Sequence, residues 1–147
     1  MRFFHLSDLH IGLKLVNRDL SADQEYIFNQ ITDMAAEQKP DALVIAGDIY
    51  DRSAPSAEAV ELFDKFVTRL SETFPAMTIM MISGNHDSPQ RVDCFRSVLA
   101  KHNIFMVGLP PRTKEEHIEK VVLEDLYGKV NFYLLPFVKP SAVREIV

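Results

Sequence analysis

Three short segments, each placed where an apolar run ends, constrain this chain more than any other feature. They are Ser7-Asp8-Leu9-His10, Gly47-Asp48-Ile49-Tyr50-Asp51-Arg52 and Gly84-Asn85-His86-Asp87. The runs before them, Phe3-Phe4-His5-Leu6, Ala42-Leu43-Val44-Ile45-Ala46 and Thr78-Ile79-Met80-Met81-Ile82, have the length and character of strands. Helix-patterned stretches lie between them. Strands alternating with helices build a layered α/β fold around a parallel sheet. In such a sheet ligands collect beyond the carboxyl ends of the strands, so three loops rich in Asp, His and Asn should meet at one edge.

The pattern along the chain predicts the elements in more detail. A first strand covers residues 2–7, followed by a loop through Leu20. Ser21 is placed to cap a helix over 22–38, with Ile27, Ile31, Met34 and Ala35 on one face. A second strand spans 42–46, a helix runs from Pro55-Ser56 to Glu72, and a third strand covers 77–82. Ser88-Pro89 opens a third helix expected to reach His102, because proline is tolerated at a first helical position. A fourth strand follows from Asn103 to Val107. Ile118–Leu123 and Val130–Leu135 then read as a hairpin, and Ser141 is placed to start another helix. No repeat or linker divides the chain, so residues 1–147 are expected to belong to one domain.

The residue types in the three loops point to metal chemistry. Asp8 and Asp48 offer carboxylate oxygens, Asn85 a carbonyl oxygen and His10 an imidazole nitrogen. This mixed set suits manganese, iron, zinc or magnesium better than a thiolate-selected structural zinc. Asp48, on the middle strand, is placed to bridge two cations. Two ions roughly 3.5–4 Å apart clamp an in-line displacement and acidify a bound water, which is what phosphate-ester hydrolysis needs. Asp and Asn also decorate ordinary turns. Three such segments in this order, each at a strand end, make that reading the weaker one.

The order D-x-H, G-D-x-x-D, G-N-H-D resembles the signature of the calcineurin-like metallophosphoesterases, whose fold is an α/β/β/α sandwich. The opening His5-Leu6-Ser7-Asp8-Leu9-His10-Ile11-Gly12 and the segment Leu134-Leu135-Pro136-Phe137 are similar to the nuclease branch, the SbcD-type exonucleases of double-strand-break repair. The resemblance runs from Met1 to about Val138. It implies that Asp8 and His10 bind one metal, that Asp48 bridges, and that Asn85 binds the second, with Mn²⁺ the expected ion at both. It implies that His86 faces the scissile phosphate, with Asp51, rather than Asp87, pairing to its ring. Full-length relatives add later histidines, typically within a Gly-His-x-His segment. The remaining histidines here, His102 and His117, stand in no such segment and read as surface residues. The chain therefore reads as the N-terminal part of a nuclease domain, incomplete at its C-terminus and inactive by itself.

Relatives of this branch work on DNA with an SMC-like ATPase partner of the SbcC type and pair through two helices into homodimers. That implies an interface through Leu62, Phe66, Cys94, Phe95 and Val98. Lys14, Arg18, Arg52 and Arg91 are the basic residues closest to the inferred site and are expected to contact DNA phosphates. The net charge of −5 opposes a strong grip on DNA by this piece alone. A phosphatase using the same metal core, or a non-catalytic dimerisation module, are the alternatives. Apolar runs well short of the ~20 residues that span a bilayer argue against a membrane protein. Met1-Arg2 leads straight into a strand, and Cys94 is the lone cysteine, so a reducing, cytoplasmic setting is expected.

Overall fold

The computed structural model describes residues 1–143. In chain order the elements are β1 (Phe3–Leu6), β2 (Lys14–Leu15), β3 (Arg18–Asp19), α1 (Ser21–Gln38), β4 (Ala42–Ala46), α2 (Ala57–Thr73) and β5 (Thr78–Ile82). Two short helical turns, α3 (Pro89–Val92) and α4 (Arg96–Leu99), precede β6 (Ile104–Val107). The hairpin β7 (Glu119–Asp125) and β8 (Gly128–Leu134) and the start of α5 (Pro140–Val143) complete them.

Side-chain alternation in the strands builds the layers. β1, β4, β5 and β6 pair in that order as a parallel sheet. Leu43 and Ile45 of β4 and Ile79 and Met81 of β5 face one way, into a core with Phe28 of α1 and Phe63, Phe66 and Leu70 of α2. Ala42 and Met80 face the other way and meet Val121 and Leu134 of the β7–β8 hairpin. Both faces of the sheet are thus covered, as a parallel sheet requires. The result is the expected mixed α/β architecture: helices, a parallel sheet, and an antiparallel hairpin. The outer helical layer of the sandwich has no member against the hairpin among the described residues.

Several local expectations change for identifiable reasons. α1 begins at Ser21 with Leu20 at its N-cap position, and Asp19 accepts the Ser21 N–H at 2.8 Å. The capping carboxylate therefore comes from just outside the helix. The first loop carries the small β2–β3 hairpin, turned by Val16 and Asn17 at φ 47° and 66°. Ser56 caps α2 as expected, accepting from Ala59 N–H at 3.3 Å.

The third helix does not form as one piece. Phe95 takes a left-handed φ of 60° and breaks it into α3, α4 and a 3₁₀ turn at Ala100–His102. Asp93, at the end of α3, accepts the Gly108 N–H at 3.0 Å instead of continuing the helix. Arg96 is thereby set to bond Glu119 on β7 at 2.5 Å. The hairpin strands extend further than expected, leaving Leu126-Tyr127 as the turn. α5 opens at Pro140, one residue before the expected Ser141, and its continuation lies outside the described residues.

Candidate metal centre

Strand register alone brings the three loops together. Leu6 pairs with Ile45 and Ala46 with Ile82, so two residues beyond each strand Asp8 comes beside Gly47 and Asp48 beside Gly84. Past the strand ends the first two loops stay zipped. Asp8 N–H donates to Gly47 O at 3.1 Å, His10 N–H to Asp48 O at 3.0 Å, and Ile11 N–H to Ile49 O at 2.9 Å. Ile11 is buried and pins the first loop to the core.

These bonds hold site residues in a sparsely populated backbone region. Asp8, His10 and Asp48 have φ of 56°, 44° and 49°. Such strain costs of order 1–3 kcal/mol per residue and persists only where the surroundings over-determine it. Here the left-handed turns aim three side chains at one point.

His10 Nε2 lies 3.9 Å from Asp8 Oδ1 and 3.9 Å from Asp48 Oδ2. The three donor atoms lie within 4.8 Å of one another. Ligands sharing one ion at bond lengths of about 2.0–2.2 Å stand roughly 3–4 Å apart, so this set fits a divalent cation with little adjustment. Neither Asp8 nor Asp48 pairs with a lysine or arginine among the described residues, which leaves their charge to be neutralised by a cation. Asp48 divides its two oxygens. Oδ2 faces His10, while Oδ1 accepts the His86 N–H at 2.9 Å from the third loop. Asn85, between Gly84 and His86, is carried alongside Asp48 by that loop and is exposed.

The other nitrogen of His10 faces a third acid. Nδ1 is buried without a hydrogen-bond partner, and Asp51 Oδ1 stands 3.5 Å away. His10, Asp51 and His86 form a second cluster of donor atoms within 4.8 Å. The rings of His10 and His86 meet edge to face at 4.8 Å.

The expected pairing of Asp51 with His86 takes a different form. His86 Nδ1 bonds the main-chain oxygen of Asp51 at 3.0 Å, while the Asp51 carboxylate turns to His10. A carbonyl can only accept, so Nδ1 carries the hydrogen and Nε2 is the atom free to exchange a proton. The bond to Asp51 O, then the negative charges of Asp48, Asp51 and Asp87, raise the His86 pKa above its ordinary 6.5. A raised folded-state value means that this group's contribution to stability is fully present below the unfolded value of 6.5 and is lost as pH rises through the folded one. A proton NMR titration of this exposed ring should accordingly show a midpoint above that of the same chain in urea; an equal or lower midpoint would remove the interaction.

Two residues matter here that the motifs do not reveal. Asp87, the less favoured partner for His86, is buried and accepts three backbone N–H groups: Ile49 at 3.1 Å, Tyr50 at 2.9 Å and Gly84 at 2.8 Å. It ties the second loop to the third. A local signal for this exists, since an acid ending a Gly-Asn-His-Asp turn invites backbone bonding. Gln24 of α1 grips the first loop from below through Leu9, His10 and Gly12. Nothing in its local sequence marks it. Tyr50, packed edge-on to Phe63, is kept neutral: burial, then Asp87 and Asp64, push its pKa up to about 12.

The remaining expected residues scatter. Lys14 and Arg52 line a cleft of about 550 Å³ beside Asp51, together with Asp19, Glu58 and the start of α2. Arg52 Nε also stands 3.8 Å from Asp51. Arg18 is exposed on β3 and Arg91 on α3, and neither lines this cleft. His102 and His117 are exposed and join no donor cluster among the described residues. The five residues expected to form one dimer face are divided. Phe66 is only 4 % exposed and stacks on Phe28 at 4.3 Å, so it belongs to the core, and with Leu62 it lines a groove between α1 and α2. Phe95 and Val98, 72 % and 55 % exposed, line a separate cavity over β6, and Cys94 is exposed. The break at Phe95 removes the continuous helix that would have carried them together.

A parallel sheet whose carboxyl edge gathers Asp8, His10, Asp48 and the Asn85-His86 loop is the arrangement of a metal-dependent phosphoesterase. The chain belongs to the calcineurin-like phosphoesterase family, whose profile matches residues 1–139. It is similar to the SbcD component of the SbcCD nuclease of Staphylococcus epidermidis, with 35% identity over 145 residues, 99% of this chain and 36% of that protein. The chain thus spans about a third of the length of the relative it matches. No helix among the described residues is long and apolar enough to cross a membrane.

Proposed function

We propose that this chain is the N-terminal part of the phosphodiesterase domain of a DNA nuclease. The observation that carries the reading is the convergence of His10 Nε2 with Asp8 Oδ1 and Asp48 Oδ2, with His86 beside them. The similarity to a nuclease component over nearly the whole chain supports DNA as the substrate. That relative's name supports an SbcC-type partner for the complete protein, and the resemblance to its branch implies that this partner is an SMC-like ATPase.

Two divalent cations, Mn²⁺ before Mg²⁺, Fe²⁺ or Zn²⁺ on this oxygen-rich donor set, supply Lewis-acid activation of water and phosphate when bound. Asp8 and His10 would hold one, Asn85 would offer its carbonyl to the other, and Asp48 would serve both. Asp51 Oδ1, 3.5 Å from His10 Nδ1, favours by its charge the tautomer that leaves Nε2 free to ligate. Closing that gap to a hydrogen bond would give it the role a carboxylate plays behind many metal-bound histidines. His86 Nε2 donates a proton to the leaving oxygen. Lys14 and Arg52 along the cleft steady a DNA phosphate, and Arg18 and Arg91 lie further out as secondary contacts. A homodimer through the exposed face at Cys94, Phe95 and Val98 belongs to the same reading; Phe66 drops out of it, and Leu62 lies on another groove.

The test is cleavage of linear duplex DNA with Mn²⁺, beside an aryl phosphomonoester, by a longer chain that includes the segments equivalent to the rest of the relative. DNA should be cut and the monoester spared. His86→Ala should lose ~10²–10⁴ in turnover with metal content unchanged. Residues 1–147 alone should cleave negligibly, because ligand number governs affinity and the second cation would find only Asp48 and Asn85 among the described residues. Monoester hydrolysis without DNA cleavage would move the reading to a phosphatase.

A further inference from the structure

We infer that Gln24 is the positioning residue for the first metal-binding loop, an inference that rests on reading Asp8, His10 and Asp48 as metal ligands. Both ends of the Gln24 amide are engaged. Its nitrogen donates to Leu9 O at 3.1 Å and His10 O at 2.9 Å, and its oxygen accepts the Gly12 N–H at 3.2 Å. The two carbonyls can only accept and the Gly12 N–H can only donate, so just one orientation of the amide satisfies all three.

These contacts fall on the stretch that needs holding. His10 is in the left-handed region at φ 44°, and Gly12 follows at φ 88°. The second loop ties this segment down on one side, through the His10 and Ile11 N–H groups. The opposite side, that of the Leu9 and His10 carbonyls, is tied by Gln24 from the first turn of α1. His10 O takes one further bond, from Leu13 N–H at 3.0 Å. Gln24 thereby connects the orientation of the His10 ring to a helix packed in the core. Partners behind a metal ligand commonly change affinity 10–100-fold when removed.

The experiment uses the longer chain of the cleavage test, ¹⁵N-labelled, titrated with Mn²⁺, reading the paramagnetic broadening of the Asp8 and His10 amide signals. Asp48→Ala serves as the control that removes the site. Gln24→Met keeps the side-chain length and loses all three bonds; Gln24→Glu keeps the acceptor for Gly12 and turns an anion toward two carbonyls. Urea midpoints measured alongside identify the folded fraction. Both variants should need at least about tenfold more Mn²⁺ for half-broadening within that fraction. The Glu variant separates positioning from charge, because an added carboxylate beside a cation site would by charge alone tighten binding. Half-broadening within twofold of the parent in both variants, or tighter binding by Gln24→Glu, overturns the inference and leaves the metal reading standing. A parent chain with no broadening at Asp8 and His10, indistinguishable from Asp48→Ala, overturns the metal reading and this inference with it.

Discussion

Gly84→Ala should lose Mn²⁺ binding at the candidate centre and much of the fold's stability at once. A Cβ at this position would lie 2.1 Å from Asp48 Oδ1 and 2.2 Å from Asp48 N. The carboxyl could rotate away, but the backbone nitrogen cannot, so the second and third loops would have to separate. That separation also breaks the bond from His86 N–H to Asp48 Oδ1. Gly47 shows the same crowding from the other side, since its Cβ would meet the Gly84 Cα at 2.9 Å. Two glycines facing each other are what let the loops approach this closely. Overpacking costs typically 1–3 kcal/mol, occasionally more, and with backbone as the obstacle about 3 kcal/mol is expected. At roughly 2–4 °C per kcal/mol for a chain of this size, Tm should fall by about 6–12 °C. Thermal melts with and without Mn²⁺ test it: the parent should gain stability from the ion and the variant should not. A variant that melts with the parent and responds equally to Mn²⁺ would show that the loops give way easily.

Asp87→Ala should rival it in stability. Truncation leaves three N–H groups, those of Ile49, Tyr50 and Gly84, without their charged acceptor around a buried position. Hydrogen bonds to charged groups are worth about 1.5–3 kcal/mol each, and part of the loss will be recovered by water. A net cost of about 3–5 kcal/mol is expected, at the upper end for single substitutions. Asp87→Asn should fall between, because Ile49 and Gly84 share one carboxylate oxygen and Tyr50 uses the other. An amide oxygen can serve the first pair while its NH₂ then faces the Tyr50 N–H. Urea denaturation ranks the three proteins. Equal midpoints for parent and Ala variant would mean that the loops are held by the strand ladders alone, and that Asp87 merely sits between them.

The two acids at 51 and 87 show where sequence reading stops. The motifs favour Asp51 over Asp87 as the acid that pairs with the ring of His86. In the fold, Asp51 serves both histidines, one through its main-chain oxygen and one through its carboxylate, and Asp87 touches neither ring's hydrogen-bonding atoms but fastens the loops. A motif states which atoms are available within a few residues. Which atom is used depends on how two loops from different strands are turned. The same limit hides Gln24, whose partners lie twelve to fifteen residues earlier in the chain.

The broken helix after Ser88 is a second case. The apolar spacing of Val92, Cys94, Phe95, Val98 and Leu99 fits a helix, and the pattern has no glycine or internal proline to warn against it. Asp93 instead bonds Gly108 and Arg96 bonds Glu119, both distant in sequence, and the chain turns at Phe95 to reach them. Those contacts also replace one continuous helix by short turns, which leave Cys94, Phe95 and Val98 exposed.

What the sequence determined by itself was local: strands β1, β4 and β5 from short apolar runs, α1 and α2 from their periodicity and flanking polar residues, and the position of the candidate ligands Asp8, His10, Asp48 and Asn85 just past strand ends. Each depends on residues within a few positions of one another, and parallel pairing then leaves little freedom in where strand ends go. Only the tertiary structure decided the rest. The register of β1 on β4 and of β4 on β5 chose which oxygens of Asp48 face which loop. The left-handed turns at Asp8, His10 and Asp48 chose which nitrogen of His10 meets Asp8 and Asp48 and which meets Asp51. Such turns cost energy locally, so no local signal announces them; they exist because Asp87, Gln24 and the zipped loops, assembled from distant parts of the chain, together outweigh that cost.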